Sequence, residues 1–296
     1  MQPLPRRSFL AGGLAAGSLI LVACGGSDDG PESSSTAEAD LAFLIATFPD
    51  GFRQQATIVA GPLQRIAFVV ADQIDNLRDT APETLELRIT GTDGTISDTT
   101  VARRVDGIIT PYYPTTLAFP TAGQYTASLP EHPDVAPLDF LVVEPEAVVI
   151  PQVGEPLPAV ATPTTTEPMG VTPLCTRAIP CPFHELNLAD AVGNGRPTVL
   201  LVATPGYCQT DICGPVVDLL IDVGEARDDL DLIHCEVYVD PSEFANGGFP
   251  DLVPAVEALA LPYEPALFVA DADGTIVARL DTTFDRSELA EALALV

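Results

Sequence analysis

The chain has 296 residues, of which 47% are apolar, and it carries 42 acidic against 13 basic side chains, a formal net charge of -29 at pH 7. The length predicts about two domains, and the apolar fraction is sufficient for a sizeable buried core. Because so negative a surface repels a phosphate backbone, we exclude nucleic acid as a partner.

The N-terminal residues predict export rather than a folded element. Residues 6–10, RRSFL, resemble the twin-arginine export signal, and the apolar stretch that follows is too short and too Gly-rich for a membrane span. The stretch ends in LVAC at 21–24, which resembles the lipobox of bacterial lipoproteins. This resemblance implies cleavage of a signal peptide, residues 1–23, and a lipid anchor on Cys24 at the outer face of the bacterial cytoplasmic membrane. The alternative is an ordinary signal peptide with a chance cysteine.

Two segments of unusual composition divide the rest of the chain. Residues 24–39 lack the apolar side chains needed to offset the entropy of ordering, so we predict a flexible tether. Residues 145–170 have a proline every few positions, which favours extended backbone and predicts a Pro-rich linker. The two remaining blocks, 40–144 and 171–296, are the predicted domains.

The first block, 40–144, predicts an all-β domain. Short β-branched or aromatic runs are separated by turn residues such as PDG at 49–51, and no run has a helical period. Strands at this spacing are typical of a β-sandwich. Residues 123–127, GQYTA, resemble the late strand of immunoglobulin-like domains, in which a tyrosine after a glycine anchors a corner. We therefore expect an immunoglobulin-like sandwich.

The second block, 171–296, predicts alternating strands and helices. Its first strand is apolar apart from one threonine, as expected for a strand buried on both faces of a sheet. The predicted elements are strand 197–203, helix 215–225, strand 230–239, helix 251–261, strands 266–270 and 275–281, and a last helix that opens with a capping box at 285–288. This order resembles the thioredoxin superfamily over about residues 185–296, which implies an α/β thioredoxin-like domain.

The resemblance becomes specific at a pair of cysteines. Cys208 and Cys213 lie between the first strand and its helix, where the thioredoxin superfamily has its active site. Pro265 lies where that family has a cis-proline beside the cysteines. The resemblance implies that Cys208, Cys213 and Pro265 are the catalytic residues. The family spacing is Cys-x-x-Cys, whereas this chain has four residues between its two cysteines.

Two roles for the pair stay open. A helix N-terminus stabilises a thiolate, and a bridge can form if Cys208 lies in the loop and Pro215 begins the helix. A static disulfide that staples the loop is equally compatible with an exported protein. The motif also resembles in part the Q-type peroxiredoxins. However, Tyr207 is inserted and the arginine expected near Pro265 is missing, so a thiol peroxidase ranks lower.

Two further cysteines, Cys175 and Cys181, precede the thioredoxin-like elements. The export signal and the neighbouring prolines predict a local structural disulfide between them. A metal site with Cys181 and His184 as one half is the alternative, but no matching second half follows, so we predict no metal and no cofactor. Cys235 alternates with the apolar positions of its strand, which predicts a buried free thiol and leaves His234 as a structural residue.

Together these observations predict a membrane-tethered, extracytoplasmic thioredoxin-like protein that exchanges disulfides with protein thiols through Cys208 and Cys213. The alternative is a non-catalytic cell-surface binding or scaffold lipoprotein, in which the sandwich recognises a partner protein and the disulfide is structural. The reduction potential of the pair separates the two hypotheses.

Overall fold

In a computed structural model of the chain, the structure describes residues 41–46, 57–72, 76, 79–208, 212–224 and 226–296, all within one compact unit, Glu38–Val296. The predicted signal peptide, the tether and the lipid anchor at Cys24 lie outside the described residues. Of the helices in the described part of the chain, none is long and apolar enough to cross a membrane.

The first block forms two antiparallel sheets, so its predicted all-β architecture is confirmed for the described residues. One sheet has the strand order β1-β2-β5 and the other has the order β4-β3-β6-β7. The strands are β1 (Phe43–Ala46), β2 (Leu63–Ala71), β3 (Thr84–Gly91), β4 (Gly94–Ala102), β5 (Tyr113–Ala118), β6 (Gly123–Ser128) and β7 (Leu138–Val142).

Aromatic rings fill the core that these two sheets share. The Phe119 ring meets Tyr125 and Phe140 edge to face, with ring centroids 4.9 and 5.7 Å apart, which is a favoured geometry for aromatic pairs. The Tyr125 hydroxyl donates a hydrogen bond of 2.7 Å to the backbone carbonyl of Thr121. This bond satisfies the polar end of a buried ring and ties the turn before β6 to the strand.

The second block forms a four-stranded sheet with the order β11-β10-β8-β9, in which only β8 and β9 are parallel. Its elements are α1 (Leu188–Ala191), β8 (Thr198–Val202), α2 (Cys213–Gly224), β9 (Asp231–Cys235), α3 (Pro254–Ala258), β10 (Ala266–Ala270), β11 (Ile276–Asp281) and α4 (Arg286–Leu293). The predicted order of strands and helices is confirmed. All five residues of β8 are buried because it is an inner strand, which explains the continuous apolar run at 199–202.

The start of α2 differs from the prediction. The helix begins at Cys213, two residues before Pro215, which was expected to open it. Proline is compatible with this position because the N–H groups of the first turn have no acceptor within the helix. The consequence is that Cys213 itself belongs to the first turn.

The Pro-rich segment 145–170, which its composition predicts to be an extended linker, packs against the α/β sheet. Ile150 and Leu157 are buried in the core of the α/β sheet. The backbone pairs with the chain around β11: Leu157 N–H donates to the Gly274 carbonyl, and Ile276 N–H donates to the Glu155 carbonyl, at 2.8 and 2.9 Å. Proline removes a donor at its own position only, so the apolar residues and amides between prolines remain able to dock on a sheet edge.

The two blocks share buried residues rather than standing apart. Ala67, Ile108 and Tyr112 of the first block belong to the same apolar cluster as Val217 and Leu289 of the α/β block. The ranges 40–144 and 171–296 therefore differ in architecture but pack around a common interface.

Candidate functional site

The two cysteines of the predicted site are joined. Cys208 and Cys213 form a disulfide with Cα atoms 6.0 Å apart. Cys208 lies in the loop after β8, and Cys213 is the first residue of α2. Two cysteines of this spacing on a single helix would diverge, and the loop brings Cys208 back to the helix end.

The two sulfur-bearing residues differ in exposure. Cys213 is fully buried, whereas Cys208 is half-buried and follows Tyr207, whose relative exposure is 40%. Cys213 is therefore the more shielded residue, as its apolar neighbours in the sequence predict. A reactant from solvent has access to Cys208 first.

The predicted cis-proline is present at the same end of the sheet. The bond between Glu264 and Pro265 is cis, and the next residue, Ala266, pairs with Val202 at the end of β8. Pro265 thus adjoins the strand end from which the cysteine loop starts. Pro265 is more than fifty positions from Cys213 in the sequence, and the order of the strands brings the two residues to the same end of the sheet.

Glu264 is a site residue that sequence reasoning missed. Its Oε2 atom lies 3.6 Å from the Cys213 sulfur and also accepts a hydrogen bond from the Thr204 backbone N–H. Burial raises the pKa of Glu264 to about 7, although the Thr204 bonds oppose this shift. A carboxyl with this pKa can both accept and donate a proton at neutral pH. The available signal was an acid directly before the expected cis-proline.

A second buried acid, Glu236, is linked to the cysteine loop through hydrogen bonds of Thr176. Glu236 accepts hydrogen bonds from the backbone N–H and the hydroxyl of Thr176, and the Thr176 hydroxyl oxygen accepts one from the Gly206 N–H at 2.9 Å. Burial raises the pKa of Glu236 to about 8. A Cβ on Gly206 would lie 2.8 Å from the Thr176 carbonyl oxygen, so this close approach requires glycine.

The first turn of α2 provides the positive electrostatics of the site. Within α2, Cys213–Gly224, the first turn carries no acidic side chain. The positive end of the helix dipole therefore acts on Cys213 without a compensating negative charge from the same turn. This arrangement lowers the cost of placing a thiolate on a buried sulfur.

The disulfide predicted between Cys175 and Cys181 is not present. Both are free thiols with sulfurs 4.0 Å apart, and the Cys181 sulfur also lies 3.2 and 3.3 Å from nitrogens of His184 and His234. The two sulfurs therefore lie beside two imidazoles as well as beside each other. One of these imidazoles belongs to His234, which is 53 positions along the chain from Cys181.

Cys235 is a buried free thiol as predicted, and burial raises its pKa to about 12.

No protein-family model matches the sequence, and no curated protein matches it either. Among solved structures, the chain is similar to a secreted Mycobacterium tuberculosis disulfide oxidoreductase homologous to E. coli DsbE, at 21% identity and a TM-score of 0.30, over 38% of this chain and 88% of that one. It is also similar to MTB dsbF, at 16% identity and a TM-score of 0.33, over 47% of this chain and 98% of that one. At such low identities and TM-scores, neither likeness establishes a function for this chain.

Proposed function

We propose that this protein exchanges disulfides with protein thiols through Cys208 and Cys213. The observation that carries the proposal is the disulfide between a half-buried loop cysteine and a fully buried cysteine at a helix N-terminus. The cis-proline at 265 and the carboxyl of Glu264 beside Cys213 support it. One sulfur can be reached by a partner, and the other is held where a thiolate is stabilised.

The exchange proceeds in two substitutions at sulfur. A substrate thiolate attacks the Cys208 sulfur, and the electron pair of the broken disulfide leaves on Cys213, which forms a mixed disulfide between substrate and Cys208. A second substrate thiolate then attacks the substrate sulfur and releases Cys208 as a thiolate. The substrate dithiol loses two electrons, the cysteine pair gains them, and the two substrate protons end on the pair or in solvent. The reverse sequence reduces a substrate disulfide.

In this exchange, Glu264 acts as the proton donor and acceptor for the Cys213 sulfur. When Cys213 leaves as a thiolate, the protonated carboxyl can donate to it across the 3.6 Å contact, and in the reverse direction the carboxylate can remove the thiol proton. Because Cys213 is buried, an internal proton partner replaces the water that an exposed thiol would use.

A redox titration tests the proposal. The oxidised protein is equilibrated in thiol–disulfide buffers, and free thiols are trapped and counted by mass. We expect a two-electron transition of the 208–213 pair within the range of exchange proteins, about -120 to -270 mV. The double variant Cys208→Ser/Cys213→Ser is the control, since it removes this transition and reports any change at the other cysteines. A potential below about -300 mV would instead support the structural disulfide of a binding or scaffold protein.

Glu264 also predicts a pH dependence of stability. Its native pKa of about 7 lies above the ordinary value of 4.5, so the native state binds more protons than the unfolded state between these values. The contribution of Glu264 to the free energy of unfolding should therefore fall as pH rises through this window, by at most about 3 kcal/mol. Glu264→Gln should remove this contribution in denaturant titrations of the oxidised protein at pH 5 and pH 8.

The exposed acid Glu257 provides the matched control for this measurement, because Glu257→Gln removes a carboxylate that is already in solvent. It should retain the wild-type pH dependence. Glu236, whose pKa burial raises to about 8, keeps its own contribution in both proteins, so Glu264→Gln should show a smaller fall than the wild type and not a flat profile. Equal pH slopes for Glu264→Gln and the wild type would contradict the assignment of Glu264 as a buried acid that titrates in this window.

For the first block we propose an immunoglobulin-like sandwich. Two features support this: the strand orders β1-β2-β5 and β4-β3-β6-β7, and the bond from the Tyr125 hydroxyl to the Thr121 carbonyl just before β6. A tyrosine that closes a corner in this way holds the turn between the two sheets.

We also propose that the mature protein is anchored through a lipid on Cys24 at the outer face of the cytoplasmic membrane, on the strength of RRSFL at 6–10 and LVAC at 21–24. Cys24→Ala should release the protein from the membrane fraction or leave it unprocessed. Unchanged processing together with unchanged membrane association would exclude Cys24 as the anchor.

A further inference from the structure

We infer that Cys175, Cys181, His184 and His234 form a structural zinc site. This inference goes beyond disulfide exchange and does not depend on it, because none of the four residues belongs to the 208–213 pair. His234 comes from β9, and the other three come from the loop before α1. All four side chains are buried, with relative exposures of 7%, 6%, 4% and 0% in the order named.

Four of the six distances between the donor atoms are close to those of a tetrahedral zinc site. A zinc ion with ordinary bond lengths separates two sulfurs by about 3.8 Å, a sulfur and a nitrogen by about 3.5 Å, and two nitrogens by about 3.4 Å. The two sulfurs here are 4.0 Å apart, and the Cys181 sulfur lies 3.2 and 3.3 Å from the histidine nitrogens. The two nitrogens are 3.3 Å apart, and all four donor atoms lie within 4.8 Å of one another.

Hydrogen bonds around the cluster orient the donors toward a common point. His234 Nε2 lies 2.9 Å from the Ala203 carbonyl oxygen, which can only accept, so Nε2 carries the proton and Nδ1 turns its lone pair to the sulfurs. The Cys181 backbone N–H donates to the Cys175 sulfur at 3.4 Å. Partners of this kind, which fix the histidine tautomer and support a thiolate, are the usual second shell of a metal site.

The two cysteine and two histidine ligands determine which metal ion the site favours and whether that ion can bind a substrate. Two thiolates and two imidazoles in a tetrahedron favour Zn²⁺ among the common divalent ions. Because four protein atoms fill the coordination sphere, the site is closed and has no position for a substrate. A surface cleft of about 220 Å³, lined in part by Cys175, Cys181 and His184, provides an entry path for the ion.

A metal at this position would hold the loop that supports the exchange site. Thr176 directly follows Cys175, and its hydroxyl accepts the hydrogen bond from Gly206 in the cysteine loop. His234 is bonded to the carbonyl of Ala203, the residue that follows β8. The ion would therefore join two chain segments, the loop before α1 and β9, and both of them hydrogen-bond to the 203–208 loop.

The test uses the reduced full chain with Cys208→Ser/Cys213→Ser, so that the exchange pair cannot bind metal. We expect one equivalent of Zn²⁺ by elemental analysis, and with Co²⁺ the intense visible bands of a tetrahedral ion together with a thiolate-to-cobalt charge-transfer band. Cys181→Ser and His184→Gln should each weaken binding at least about 100-fold. Cys235→Ala, which removes a buried thiol outside the cluster, should leave binding unchanged.

If a ligand variant fails to fold, the ligands can be identified in the unsubstituted protein by X-ray absorption at the zinc edge. Two sulfur and two nitrogen ligands are the expected result. The inference would be overturned by a folded, reduced protein that binds no Zn²⁺, or by Cys175 and Cys181 joined as a disulfide in the protein as exported. Binding that survives Cys181→Ser, or a site that takes only monovalent copper, would overturn it as well.

Discussion

Cys208→Ser is expected to reduce the rate of thiol–disulfide exchange at least about 1000-fold, because a serine hydroxyl at neutral pH does not replace a thiolate as the nucleophile. Cys208 is the sulfur-bearing residue that solvent reaches, next to the exposed Tyr207, while Cys213 is fully buried. The rate is followed with the reduced protein and a disulfide-containing protein substrate in excess.

Cys213→Ser should behave differently from Cys208→Ser. Cys208 can still attack, but its partner thiol is missing and the other free thiols are buried, so the substrate is not released. A mixed disulfide should therefore accumulate and be visible as a mass increase of the intact protein. Cys235→Ala is the control and should exchange at the wild-type rate, because that thiol is buried on β9. An adduct on Cys213 in Cys208→Ser, with none in Cys213→Ser, would reverse the assigned order of attack.

Arg65→Met is expected to lower the free energy of unfolding by about 3–5 kcal/mol, because it leaves a buried carboxylate without its cation. Arg65 on β2 forms a two-point contact with Glu288 on α4, at 2.6 Å from Nε and 2.8 Å from Nη2, and both side chains are about nine-tenths buried. Arg65 also donates to the backbone carbonyl of Asp281 at 3.0 Å. The pair therefore crosses the interface between the sandwich and the α/β sheet.

Protonation of Glu288 at acidic pH should also lower the free energy of unfolding, because it removes the charge that pairs with Arg65. Burial alone would raise the pKa of Glu288, but the hydrogen bond and the charge of Arg65 outweigh burial and lower it. For a carboxyl with a lowered native pKa, the stabilisation is present above its ordinary pKa and is lost as pH falls through the native value. Arg65→Met should remove this acid sensitivity.

Arg88→Met is the matched control, since Arg88–Asp98 is also an arginine–carboxylate contact. It lies between β3 and β4, and its side chains are 43% and 47% exposed. Its loss should cost less than about 1 kcal/mol. The double variant Arg65→Met/Glu288→Met should be more stable than Arg65→Met alone, because no unpaired charge remains. Equal costs for Arg65→Met and Arg88→Met in denaturant titration would contradict the interface role of this pair.

Local patterns in the sequence were sufficient for the elements and for the exchange pair. The unbroken apolar run of β8 predicted a strand buried on both faces, and the capping box Asp285–Glu288 predicted the start of α4. Cys208 and Cys213 are five positions apart, so one loop and one helix start decide whether they meet. Periodicity, capping and short spacing are properties of neighbouring residues, and such properties are visible before the chain folds.

Tertiary structure alone decided the contacts between distant residues. Composition identified the prolines of 145–170 but not the edge of β11 on which Leu157 docks. Cys181 and His184 were recognisable as half of a metal site, but the other histidine, His234, arrives on β9 beside the end of β8. Arg65 and Glu288 are 223 positions apart. Which side chains from such separate segments meet depends on sheet order and on the burial of each face, and neither is encoded in the spacing of residues along the chain.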